Sequence, residues 1–527
     1  MTTRILDFTS TATPWHRRLW GVGSFLALEE LHEAGQWVEK KVISSGAIDW
    51  QKHALERMLG SDKALGDSVR RKELQNILRG DLSIASGNRR RLRNFIDVCQ
   101  PGYLERWADH VGQDDPPRAE LLARSVAAHL LDHGHSFTGV QRWIRDGRRD
   151  ISALELVREA AKLADQQIAE WEVFVPFVEL PGHESLAVHL GHWSPRSNLP
   201  AWLDLCGYKL DDSHKGGFTY KIEARDYERA IEIADDMVER LKARSRFARL
   251  KGSVIPAHDV YVKGVLGNAP LRSGDRGAQI LSLQSEKVIY AVGLDVQRTG
   301  TEHRNFIDDA LEVAATLNSG ALAPAISGSW AALESLLTEP RDDTEKGKVV
   351  AAQRAAQLVA CSWTRAELTA IAHQLRSNKN DSTAKVVERL SSNRERAEYI
   401  ASLIDADGVI PLKRTWRLRS DVAAIERMRE VIRQPNVVLG RVKFYLEYSL
   451  RGLYRARNIV VHGGSTGGVS LPSTLRVTAP LVGAALDRIS HAYFANGTSP
   501  LTLATRAEFS LDHAGDELGP HICRLLE

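Results

Sequence analysis

The chain has 527 residues, of which 26% are charged and 43% hydrophobic, values typical of a globular protein with material for about three domains. Its formal net charge of +3 excludes a strongly basic protein, so any surface that binds nucleic acid has to be local. The four cysteines are widely spaced and form no CxxC pair, which argues against a disulfide framework or a zinc knuckle and favours a reducing, cytoplasmic location.

Neither a signal peptide nor a membrane span is predicted. The N-terminal sequence MTTRILDFTSTATPWHRRLW lacks a basic start followed by a long apolar run. No stretch approaches the roughly eighteen uninterrupted apolar residues expected of a membrane helix.

Three segments with different patterns follow one another along the chain. Residues 1–178 are predicted to be helical, because apolar residues recur at helical spacing. Residues 179–300 are predicted to form a small α/β domain, with strands at GFTYKIEA, HDVYVKGVLG and EKVIYAVGLDV and an amphipathic helix after the first of them. Residues 301–527 return to helical patterns and predict an all-α bundle. The predicted fold class is therefore mostly α, with a small α/β middle domain.

One stretch of the predicted bundle, LYRARNIVVHGG, carries chemistry. Asn458 and His462 are four residues apart and share a helical face, while the long side chain of Arg457 can reach round to them. Gly463 and Gly464 predict the end of the helix. The three polar groups are therefore expected to converge at the last turn of one helix.

This set of groups suits the cleavage of RNA. A guanidinium binds a phosphate with two parallel hydrogen bonds, and a histidine can transfer a proton near neutral pH. RNA carries its own nucleophile, the 2′-hydroxyl, so neither a metal nor another cofactor is predicted. A two-fold dimer would bring two copies of His462 together, one as base and one as acid. An ordinary hydrogen-bonded pair on a helix has the same spacing, so spacing alone leaves both interpretations open.

Two further arginines on the same predicted helix, Arg451 and Arg455, form a basic stripe. They are predicted to contact the RNA backbone, the alternative being a solvated helix face.

The segment RNIVVH resembles the Arg-x(4–6)-His signature of HEPN ribonucleases, in which a polar residue often follows the arginine, as Asn458 does here. The flanking EYSLRGLYRA and HGG resemble the motif helix of the Apea-like HEPN group, and SWAALESLL, around Glu334, resembles its first bundle helix. The resemblance covers about residues 301 to 500. It implies a HEPN-type bundle, metal-independent endoribonuclease activity, a homodimer and a role in anti-phage defence or toxin-like abortive infection. It also implies that Arg457 holds phosphate, His462 is the acid or base and Asn458 supports them.

Two alternatives remain open. In the first, the bundle is a catalytically silent HEPN module that binds RNA or a partner protein. A DNA-binding regulator is the other, because residues 130–149 have the outline of a helix-turn-helix with Gln141, Arg142 and Arg145 on its second helix. The first 300 residues are expected to sense a trigger, such as a phage-derived or partner protein, or to restrain the nuclease.

Overall fold

The structure is a computed structural model. It describes residues 1–148, 150–183, 192–208, 211–248, 251–271, 276–285, 287–290, 306–340, 342, 344–376, 381–406, 408, 410–412 and 419–527.

The N-terminal domain is helical, as predicted. Its helices are α1 (Thr2–Phe8), α2 (Ser24–Glu39), α3 (Ser45–Leu59), α4 (Ser68–Arg79), α5 (Gly87–Cys99), α6 (Tyr103–Val111), α7 (Ala119–Asp132), α8 (Phe137–Arg145) and α9 (Ala153–Ala164), with 3₁₀ turns at Trp15–Arg17 and Lys63–Leu65. Side-chain caps fix several starts: Ser44 accepts a hydrogen bond from the Ala47 amide, and Ser152 forms a capping box with Glu155. The apolar faces of these helices surround one core, at whose centre Trp107 is fully buried.

The middle region is an antiparallel sheet with one long helix. The strands are β1 (Ala169–Glu179), β2 (Trp193–Pro195), β3 (Gly216–Ala224), β4 (Ile255–Pro256), β5 (Asp259–Val262) and β6 (Ala269–Pro270). They are ordered β2-β3-β1-β5-β6, and β4 also pairs with β1. The short helix α10 (Trp202–Leu205) follows β2, and α11 (Tyr227–Phe247) packs through Ala230, Ala234 and Val238 against the sheet core. This sheet domain has its own hydrophobic core, separate from the core of the N-terminal domain.

Two details of the sheet differ from prediction. Strand β1 begins at Ala169, inside the segment predicted to be mostly helical with a β-like end, because residues 169–177 of the run AEWEVFVPFVE pair with β3. The predicted strand at 286–296 is wrong where it can be seen, since Val288–Tyr290 form a 3₁₀ turn. Residues 286 and 291–296 lie outside the described residues.

The C-terminal region is helical in its described residues, as predicted for residues 301–527, and it includes one short helix before residue 301. Its helices are α12 (Ser282–Ser285), α13 (Phe306–Val313), α14 (Leu322–Leu337), α15 (Thr344–Leu375), α16 (Ser382–Arg389), α17 (Asn393–Asp405), α18 (Arg419–Arg433), α19 (Pro435–Val461), α20 (Leu471–Asn496) and α21 (Pro500–Asp512). Helix α15 lies at the centre and packs against α14, α17, α19, α20 and α21. The predicted fold class, mostly α with a small sheet-containing region, is therefore confirmed. No helix in the described part of the chain is both long and apolar enough to cross a membrane.

The N-terminal domain and the bundle share a hydrophobic core. Tyr448 and Ile459 of α19 and Val477 of α20 are at most 8% exposed and belong to the apolar cluster of the N-terminal domain, not to that of the bundle. Trp50 of α3 stacks on Tyr448, with ring centroids 6.2 Å apart. One flank of the helix that carries the motif is therefore covered by the first domain.

Candidate functional site

The three predicted catalytic residues meet at the end of α19. Arg457 Nη1 donates a hydrogen bond to Asn458 Oδ1 (3.0 Å) and lies 2.9 Å from His462 Nε2. The His462 amide donates to the Asn458 carbonyl (2.9 Å), which makes His462 the C-cap of the helix. Asn458 is buried, Arg457 is half-buried and the imidazole of His462 is exposed. The imidazole of His462 is therefore accessible to a ligand, and the side chain of Asn458 is held in place inside the protein.

The hydrogen bond between Arg457 and His462 defines a state of the imidazole. A guanidinium has only donors, so a hydrogen bond at this distance requires Nε2 to be the acceptor. A phosphate that takes Nη1 of Arg457 as a donor would compete with His462 for it and would release the lone pair of Nε2. The arrangement can therefore couple anion binding to the appearance of a free base.

The two glycines after His462 have different structural causes. A Cβ on Gly463 would lie 2.5 Å from the Ile459 carbonyl oxygen and 2.8 Å from Cζ3 of Trp37 in the N-terminal domain. Gly464 has φ of +62°, a conformation that disfavours other residues. The first glycine permits a close approach and the second permits the reversal of the chain after the helix.

The predicted basic stripe does not lie open on the surface. Arg451 Nε donates to Glu447 Oε1 (2.7 Å), and its guanidinium lies 4.1 Å from the centre of the Trp50 ring. Burial is the main cause of a lowered pKa of Arg451. Arg455 is only 6% exposed and lies 3.7 Å from Glu30 Oε2. Contact of these two arginines with RNA stays a prediction, and it requires these pairs to open.

Helix α2 supplies a wall of the site that the sequence interpretation missed. Glu30 accepts a hydrogen bond from Thr474 Oγ1 (3.3 Å), Glu33 accepts one from the Val469 amide (3.1 Å), and Trp37 packs on Gly463. The spacing of these α2 residues, i, i+3 and i+7, places them on one helical face. The sequence shows that two glutamates and a tryptophan share one face of α2. It does not show that this face contacts the end of the motif helix.

A second contact between the N-terminal domain and the bundle is a chain of buried and half-buried ionic groups, here called the interdomain ion cluster. It consists of Arg4, Arg17, Glu120, Glu367, Asp421 and Arg427. Glu367 of the bundle is fully buried between Arg17 of the N-terminal domain (3.1 Å) and Arg427 (2.8 Å). Burial acts to raise the pKa of Glu367, but Arg427 and Arg17 outweigh it and lower that pKa to about 2.

His16 lies beside this cluster and is 8% exposed. Burial is the main cause of its lowered pKa of about 4, and the positive charges of Arg17 and Arg427 act in the same direction, against Glu367. His16 is therefore neutral wherever the cluster is intact near neutral pH.

Metal ligation has no evident site in what the structure describes. Among these residues, no group of three or more histidine, cysteine, aspartate or glutamate side chains is arranged to hold a metal ion. Metal-independent chemistry at His462 stays a prediction.

The residues of the predicted helix-turn-helix make internal contacts. Gln141 Nε2 donates to the Thr9 carbonyl (2.5 Å), and Arg142 pairs with Glu228 of the sheet domain (2.6 Å). Arg145 donates to Gln141 Oε1 (3.0 Å). Gln141 and Arg142 tie α8 to its neighbours, which gives these two side chains a structural role.

Comparison of the chain with models of known protein families, with curated proteins and with solved structures found no match.

Proposed function

We propose that the chain is a metal-independent endoribonuclease of the HEPN type that acts as a homodimer. The observation that carries the proposal is the 2.9 Å contact of Arg457 with His462 at the open end of α19, supported from below by buried Asn458. The resemblance of RNIVVH and its flanks to the HEPN signature supplies the reaction class. Anti-phage defence or toxin-like abortive infection is the setting that the same resemblance implies.

The chemistry follows from the groups present. An RNA phosphate draws the guanidinium of Arg457 to its non-bridging oxygens, and Nε2 of His462 then removes the proton of the adjacent 2′-hydroxyl. The 2′-oxygen attacks phosphorus, the bond to the 5′-oxygen breaks and the leaving oxygen takes up a proton from an acid. The products are a 2′,3′-cyclic phosphate and a 5′-hydroxyl end, with no water consumed in this step.

A second subunit supplies the acid in this scheme. Val461 directly precedes His462, and Val469 lies on the loop that follows it; 49% and 50% of their surface is exposed. An isologous contact through Val461 would bring two copies of His462 to one cleft. In Val461→Asp we expect a monomer and loss of cleavage, measured by sedimentation and by RNA cleavage. Val437→Asp, on the same helix and 59% exposed, is the matched control and should leave both unchanged.

The N-terminal domain is proposed to sense a trigger or to restrain the nuclease. Its contacts along α19 support this role, because α2 lies directly against the segment that follows His462. A phage-derived protein or another partner that binds the first domain would act through these contacts.

The catalytic proposal is tested with purified protein, end-labelled single-stranded RNA and EDTA. Cleavage that is lost in His462→Ala and kept in His513→Ala, an exposed histidine paired with Asp516, supports the nuclease. Binding of RNA without cleavage by the wild type supports the silent module instead. Preference for duplex DNA over RNA supports the regulator, which the internal contacts of Gln141 and Arg142 disfavour.

A further inference from the structure

We propose that Trp37 and Glu33 of the N-terminal domain are positioning residues of the site: they fix the segment 463–469 and thereby hold His462 against Arg457. For its catalytic consequence this inference rests on the proposed RNA cleavage. The structural part, that α2 orders the segment after the motif, stands on contacts alone.

The first step is the contact of Trp37 with the helix end. The indole is 6% exposed and approaches Gly463 so closely that a Cβ there would lie 2.8 Å from Cζ3 and 3.2 Å from Cη2. Gly463 is the residue directly after His462, and its amide donates to the Asn458 carbonyl (3.2 Å). The indole therefore packs against the peptide that sets the direction of the His462 side chain.

The second step is the anchor of the loop. Glu33 lies one helical turn before Trp37 on the same face, and its Oε2 accepts a hydrogen bond from the Val469 amide (3.1 Å). The Ser465 amide donates to the Ile459 carbonyl, which ties the near end of the loop back to α19. The segment between the motif and α20 is thus held at both ends, once by its own helix and once by α2.

The third step is the sensitivity of the chemistry to this support. His462 is the C-cap, so only Gly463 and the loop after it restrain the imidazole from its C-terminal side. Misplacement of a catalytic group by about 1 Å costs on the order of 100-fold in rate. Loss of the indole leaves a cavity under Gly463 that permits such a displacement.

The test uses the full chain with two matched pairs of variants. Trp37→Ala is compared with Trp143→Ala, a partly buried tryptophan of α8 whose ring lies against Arg148. Glu33→Gln is compared with Glu39→Gln, because Glu39 also lies on α2 and also accepts a backbone amide, that of Ile84 within its own domain. Trp37→Phe is the conservative variant.

Two readouts separate the inference from the proposed function. Hydrogen–deuterium exchange of the 463–470 peptide should rise about tenfold in Trp37→Ala, to a smaller degree in Glu33→Gln, and not in the two controls. The kcat of RNA cleavage should fall about 100-fold in Trp37→Ala with KM changed less than threefold, and Trp37→Phe should recover most of it.

Each outcome decides one of the two statements. Unchanged exchange in folded Trp37→Ala, or raised exchange with wild-type kcat, overturns the positioning role. Equal loss in the Trp143→Ala control also overturns it, because the effect would then be one of general stability. If exchange rises in Trp37→Ala but the wild-type protein cleaves no RNA, the nuclease is refuted. The ordering of segment 463–469 by α2 then still stands.

Discussion

Replacement of Glu367 by glutamine should loosen the contact between the N-terminal domain and the bundle. The lowering of its pKa from 4.5 to about 2 corresponds to about 3 kcal/mol of stabilisation, at about 1.4 kcal/mol for each pKa unit. Breaking one partner of a buried ion pair gives a similar figure, on the order of 3–5 kcal/mol. Arg17 and Arg427 each lose the counter-charge of Glu367 and keep Asp421 and Glu120 respectively. We expect Glu367→Gln to lower the free energy of unfolding at pH 7 by this amount.

The assay is urea denaturation of the wild type and Glu367→Gln at a series of pH values. Because the folded-state pKa is depressed, the contribution of Glu367 is complete above about pH 4.5 and is lost as the pH falls towards about 2. The difference between wild type and variant should therefore shrink over that range. If the domains separate before the bundle unfolds, the difference should appear in the first transition.

The matched control is Glu398→Gln, which removes one partner of the exposed ion pair with Arg524. Surface pairs of this kind contribute less than about 1 kcal/mol, so this variant should stay close to the wild type. The reasoning is refuted if Glu367→Gln also stays within about 1 kcal/mol of the wild type at pH 7, or if its effect does not depend on pH.

Three further predictions concern the site and its surroundings. Arg457→Lys should lose about 100-fold in kcat/KM for RNA, because lysine cannot present two parallel donors to phosphate; near-normal cleavage would remove Arg457 from that role. Gly464→Ala should destabilise the protein by about 1 kcal/mol in thermal melting because of its positive φ, whereas Gly440→Ala, inside α19 with open space around it, should stabilise it slightly. Between about pH 6.5 and pH 4, His16 is protonated in the unfolded chain but stays neutral in the folded protein. The free energy of unfolding should therefore decrease over this range in the wild type, and decrease less in His16→Leu. Equal pH profiles of the two proteins would contradict this.

The convergence of Arg457, Asn458 and His462 could be predicted because it depends on local geometry alone. Residues one, four and five positions apart on a helix occupy fixed relative places whatever surrounds them. The glycine stop was predictable for the same reason, since Gly464 needs its positive φ within the same turn.

The environment of Arg451 and Arg455 could not be predicted in this way. Their helix spacing correctly places them on a common stripe, but that stripe meets Glu30 and Trp50, which are some 400 residues away in the chain. A sequence pattern shows which residues share a face, and it does not show what covers that face. The same limit explains why the α2 wall, with Glu33 and Trp37, was missed.

The early start of β1 has a different cause. The run from Ala169 follows a strong amphipathic helix, and the sequence predicts a β-like segment after that helix without showing where the strand begins. Pairing of residues 169–177 with β3 sets the start of the strand at Ala169.

The shared core places a constraint on how this protein can be divided. Side chains from the first 164 residues cover Tyr448, Ile459 and Val477. A fragment that begins at residue 301 would therefore expose an apolar surface next to its own motif, and such a surface favours aggregation. If such a fragment aggregated, it would look inactive in a cleavage assay. Its effect on cell growth would then not show whether the N-terminal domain restrains the nuclease. The two regions share one apolar core, so their roles are better separated by single substitutions at the contact between them.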